Sequence, residues 1–188
     1  MIAVTGTAAQ AAPADTEPPE PQTTTVTYQM PPKKMNLRAS FSTADAAKRQ
    51  DPPLGGCNWH DISGTVVASY VNGRIVGTNS TWSAKAFCTT TAPGQAMAGI
   101  VIDSTLWYLG RNVAPGRPFA CQDCNLGNST GDYAMPGGSG SYWVSGIFAF
   151  FLPDGWIWTG LPDGCSLIDA HILECGSISD TVYVPPTW

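Results

Sequence analysis

Six cysteines, Cys57, Cys88, Cys121, Cys124, Cys165 and Cys175, all fall after residue 56 of a 188-residue chain, and they limit its fold more than any other feature. An even set of cysteines in a small, glycine-rich segment reads as a disulfide framework formed in an oxidising compartment. Six cysteines allow many pairings, of which local ones are favoured. Cys57 and Cys88 bracket a candidate hairpin, Cys165 and Cys175 bracket SLIDAHILE, and CQDC (Cys121 to Cys124) closes on itself. CQDC has half of a zinc-site spacing, yet no second CxxC or HxxxH completes it, and a redox CxxC would precede a helix in an α/β fold. Neither a metal nor another cofactor is expected.

Composition divides the chain at Cys57, because all seven tryptophans and all six cysteines follow that point. Residues 1–14 have the small-residue A-x-A pattern of a secretory signal at Ala9 and Ala11 or at Ala12 and Ala14, without a basic leader. Residues 15–56 form a Pro/Thr-rich arm, expected to be extended and largely disordered. Within it TTTVTYQM, residues 23–30, alternates as a strand does. Val26, Tyr28 and Met30 share one face, while Thr25, Thr27 and Gln29 share the other. A lone strand has no ladder, so it must pair with its own domain or with another protein. Docking into a partner through Thr25, Val26, Thr27, Tyr28 and Met30 is the expectation. A short helix is expected near Thr43–Gln50, capped by Ser42 or Thr43 and ended by Pro52 and Pro53.

Residues 57–188 read as β throughout. Asn72-Gly73 between β-rich arms signals a type I′ hairpin. AMAGIVID, STLWYLG, YWVSGIFAFFL, WIWTG, SLIDAHILEC and DTVYVP continue the pattern, with a long loop expected between Gly110 and Ser141. About seven or eight strands with Gly/Pro-rich turns predict an all-β, disulfide-stabilised antiparallel β-sandwich or small barrel.

Charge narrows the partners. Residues 57–188 hold four Lys/Arg against nine Asp/Glu, so nucleic acid is not expected. No apolar run approaches the roughly 18 residues of a membrane span.

Two arrangements invite a catalytic reading. LPDG occurs twice, at 152–155 and 161–164, which raises the idea of a carboxylate pair, Asp154 and Asp163. Pro-Asp-Gly after a strand is turn chemistry, with Pro, Asp and Gly at the second to fourth turn positions. The two turns lie at opposite ends of a five-residue strand, too far apart for a glycosidase pair. Asp169 and His171, two apart on an expected strand, would share a face and could form an Asp-orienting-His dyad of a secreted hydrolase. Trp59, Trp82, Trp107, Trp143, Trp156 and Trp158 could stack on sugars, as in a lectin-like module, or fill the core.

In overall plan the chain resembles the small adaptor subunits of secreted actinobacterial umbrella toxin particles. The likeness covers the arm, TTTVTYQM and the Cys-rich domain from Cys57 to Cys175. It implies a secreted, non-enzymatic adaptor whose N-terminal segment docks into a lectin subunit while the compact domain holds a repeat-built toxin stalk. A carbohydrate-binding module and a hydrolase using His171 and Asp169 are the alternatives.

Overall fold

The structure is a computed structural model that describes residues 20–90 and 96–188, and only the backbone of residues 34–38. The signal-like segment 1–14 and most of the acidic, Pro-rich spacer lie outside the described residues.

The chain begins with β1 (Thr23–Thr43) and α1 (Ala44–Lys48), followed by β2 (Gly55–Val71), β3 (Arg74–Thr90) and β4 (Met97–Tyr108). Next come β5 (Arg111–Pro115), β6 (Phe119–Cys124), β7 (Leu126–Pro136) and β8 (Gly140–Phe151). β9 (Trp156–Gly160), β10 (Cys165–Leu167), β11 (Ile172–Ile178) and β12 (Val182–Val184) complete it. All named pairings are antiparallel. Sheet I runs β7-β3-β2-β1-β9, and sheet II runs β10-β11-β8-β4-β5, with β12 against β8 and β6 against β4.

Alternation builds the sandwich. Ile62, Val66, Ala68 and Tyr70 of β2 and Trp82, Ala84 and Ala86 of β3 face inward from sheet I. They meet Ile100, Ile102 and Leu106 of β4 and Val144, Phe148 and Phe150 of β8 from sheet II. Period-two burial along the 12 residues of β8 and from His60 to Val71 of β2 is what one dry and one wet face require. This is an all-β, disulfide-stabilised antiparallel sandwich.

Among the described residues the sandwich already includes β1, upstream of Cys57. Residues 23–30, expected as part of an arm outside the domain, pair along their length with Val71–Gly64 of β2. β1 therefore lies inside sheet I, and its Met30 and Phe41 belong to the core. A strand with an apolar alternate face is stabilised most by the nearest ladder that can bury that face, and β2 supplies it. Pro31 and Pro32 fall where the β1–β2 register shifts between Met30 and Lys33, a place where a missing donor is tolerated.

Other expectations differ in detail. The long loop between Gly110 and Ser141 holds β5, β6 and β7, and AMAGIVID with STLWYLG makes the single strand β4. The helix falls in its expected place, with Thr43 Oγ1 accepting from Ala46 N at 3.2 Å. The Asn72-Gly73 turn has φ of 47° and 74°, the positive pair of a type I′ hairpin.

That turn also holds both flanks of the described chain. Gln22 N donates to Asn72 Oδ1 at 3.1 Å, and Asn72 N donates to Gln22 O at 2.9 Å. On the other side Trp188 N donates to Gly73 O at 2.9 Å.

Candidate binding surfaces

The aspartates considered for catalysis lie in turns and a bend, and the carboxylate of Asp169 is engaged with the backbone. Asp154 and Asp163 sit in two turns at opposite ends of β9, closed by Trp156 N to Pro153 O at 3.1 Å and Cys165 N to Pro162 O at 3.4 Å. These bonds place Pro at the first turn position, not the second. Gly155 and Gly164, with φ of 78° and 77°, stand third, as in a type II turn. Asp169 and His171 lie in the bend between β10 and β11, not on a strand. Asp169 Oδ1 accepts from His171 N at 2.7 Å and Ile172 N at 2.9 Å. The carboxylate shapes the bend, and among the described residues no hydrogen bond joins it to the His171 ring.

The cysteines pair as local spacing favours: Cys57 with Cys88, Cys121 with Cys124, and Cys165 with Cys175. The first and last bridges join direct cross-strand neighbours of β2–β3 and β10–β11. No described cysteine is free.

Three surface depressions stand out. One lies over Gly64, lined by Gln29, Pro32, Ser63, Thr65, Thr81 and Ser83 among others. The second borders Cys121 and Phe151, and the third Ser69 and Met135. None has an ionisable side chain in its lining.

The residues expected to anchor a partner are divided by the pleat. Val26 and Tyr28 pack half-buried against the core and Met30 is buried within it. The Tyr28 hydroxyl lies 3.0 Å from that of Tyr70, which donates to Pro185 O at 3.0 Å. Burial, reinforced by Tyr28, raises the Tyr70 phenol above its ordinary range, so it stays a neutral donor. Val26, Tyr28 and Met30 thus fill this molecule's interior and are not free for a partner's pockets. Thr25 and Thr27 remain exposed. The backbone of the same stretch is half used: β2 takes one side, whereas β9 pairs only with Ser40–Thr43 on the other. Between Thr23 and Met30 the outer edge of β1 meets no strand among the described residues.

The tryptophans also divide. Trp82, Trp156 and Trp158 are buried, the last two against Phe41 at 5.5 Å. The shared face of Trp156 and Trp158, expected as a possible sugar platform, is therefore core. Trp107 and Trp143 instead meet as direct neighbours across β4 and β8. They lie on the partly exposed face of sheet II with their rings parallel within 3°. Sequence alternation finds pairs that share a face but does not tell which face is inside.

Fold and surface together define a disulfide-stapled β-sandwich in which, among the described residues, β1 leaves its outer edge unpaired over Thr23–Met30. No family model, curated protein or solved structure matches the chain.

Proposed function

We propose that this protein is a secreted, non-enzymatic adaptor that binds another secreted protein by strand addition along the outer edge of β1. The resemblance to umbrella-particle adaptors supplies the concrete form: a lectin subunit on the β1 edge and a repeat-built toxin stalk on the rest of the domain. One observation carries the reading. Thr23–Met30 is an eight-residue edge, and edges of this length are usually covered, shortened or charged. Here the stretch holds no charged side chain, and only the Pro31-Pro32 bulge limits it. Main-chain bonds from such an edge give affinity, with exposed Thr25 and Thr27 beside the joint. Three disulfides fit an oxidising compartment.

Two proline variants test it. In an antiparallel ladder one of two consecutive residues bonds to its neighbour strand while the other points its groups away. Thr24→Pro and Thr25→Pro therefore differ in which side loses a donor. The variant that removes the β2-facing donor should lower the melting temperature. Its twin should keep the melting temperature and lose the partner in copurification from culture fluid. If the thermally intact variant retains every partner of the wild type, the edge is not the docking site.

A further inference from the structure

The outer faces of both sheets carry one cross-strand aromatic pair, and only the pair on sheet II has its rings parallel. On sheet I hydroxyls line the middle of the β2–β3 ladder, Thr65 and Thr81 approaching to 2.8 Å and Ser63 and Ser83 to 3.4 Å, and its aromatic neighbours Trp59 and Phe87 are tilted by 33° to each other. Threonine suits a wet β face, so the fold has a polar solution available and uses it there. The corresponding surface of sheet II presents Trp107 beside Trp143, ring centroids 6.0 Å apart. Trp107 Nε1 donates to Ser145 Oγ at 2.8 Å, which fixes the ring's orientation. Asn112 of β5 is the register partner of Trp107 on one flank. On the other, Tyr183 of β12 stands opposite Ser141, two residues along β8 from Trp143, and is 60% exposed.

We infer that this band, Asn112–Trp107–Trp143–Tyr183, is a binding site for a neutral pyranose oligosaccharide. It goes beyond the adaptor reading, since it lies on the other sheet and needs no partner at β1. A pyranose ring has an apolar C–H face bordered by hydroxyls, and it is matched by an aromatic surface with hydrogen-bonding groups at its border. Parallel indoles supply the surface. Asn112, Ser141, Ser145 and the Tyr183 hydroxyl supply the border. The band crosses four adjacent strands, three spacings of about 4.8 Å, which suits several linked sugars better than one. Charge selects among glycans: residues 57–188 hold four Lys/Arg against nine Asp/Glu. Sulfated or uronic-acid chains would meet net repulsion, and neutral ones would not.

The test titrates the full oxidised chain calorimetrically with hexasaccharides of glucose, N-acetylglucosamine and mannose, and with heparin as the anionic probe. At least one neutral hexasaccharide should bind. Trp107→Ala and Trp143→Ala should each weaken it by about tenfold or more, and Trp59→Ala, on the outer face of sheet I, should leave it unchanged. A measurement without variants guards against misfolding: wild-type protein is treated with N-bromosuccinimide and the oxidised indoles are mapped. The bound glycan should protect Trp107 and Trp143 but not Trp188, which is 65% exposed. The inference fails if no neutral hexasaccharide binds at millimolar concentration, or if only heparin binds. It fails equally if binding survives loss of both indoles, or if these substitutions abolish self-association or capture of a protein and leave no glycan effect.

Discussion

His60 sits in the middle of the sandwich, 1% exposed, its ring 4.5 Å from that of Phe148 and with neither nitrogen hydrogen-bonded among the described residues. Burial lowers its pKa to about 4 from the ordinary 6.5. A base whose folded pKa is depressed contributes stability that is complete above the unfolded value and is lost as pH falls toward the folded one. Here the window runs from about 6.5 down to about 4. At 1.36 kcal/mol per unit the loss is on the order of 3 kcal/mol. His60→Leu should flatten this part of the curve. The check is the difference in urea midpoint between variant and wild type at pH 7.5 and pH 4.5, a comparison that cancels the titration of the carboxylates. Gly131 is a second single-residue constraint, because a Cβ there would collide with the Trp82 indole, whose Nε1 donates to Ser104 Oγ at 3.1 Å. Gly131→Ala should cost about 1–3 kcal/mol by overpacking, read from chemical denaturation.

At the scale of elements, β1 changes from an appendage into a structural member. Limited proteolysis should yield a stable fragment that begins before Thr23. A chain starting at Gly55 should fail to fold, because the β2 edge and the underside of Met30 and Phe41 would be stripped. A stable fragment starting near Cys57 would contradict this placement. The sequence of this segment declared its faces but not its neighbour: TTTVTYQM alternates visibly, while pairing is decided by a segment some 40 residues away in the chain. The Asn72-Gly73 hairpin was legible because positive φ at two successive residues is a local demand. β7 was hidden for the opposite reason. LGNSTGDYAMP is rich in turn formers, yet its glycines are needed where Gly127 meets Ile102 and Gly131 meets Trp82. The open β1 edge could not be seen in sequence either, because an edge is defined by what fails to pair with it.

Over the whole molecule the three disulfides close loops of very different length, with separations of 31, 10 and 3 residues. If constraint of the unfolded chain dominates, removal should cost most for Cys57–Cys88, less for Cys165–Cys175 and least for Cys121–Cys124, at about 4, 3 and 2 kcal/mol. Paired Cys→Ser variants in guanidinium would establish the order, and a dominant effect from Cys121–Cys124 would refute it. The hydrogen bonds that bring Gln22 and Trp188 to the same hairpin tip carry a further consequence, for load. Tension applied between these two residues would open the β1–β2 ladder from Thr23 and Val71 one pair at a time, like a zipper, and should need little force. Gly155, whose carbonyl accepts from Ala44 N at 3.0 Å, marks the far end of β1. Pulling from Gln22 and Gly155 would load the ladder lengthwise, so that its bonds must shear together. The domain would be weak when held at Gln22 and Trp188 and strong when gripped along the β1 edge.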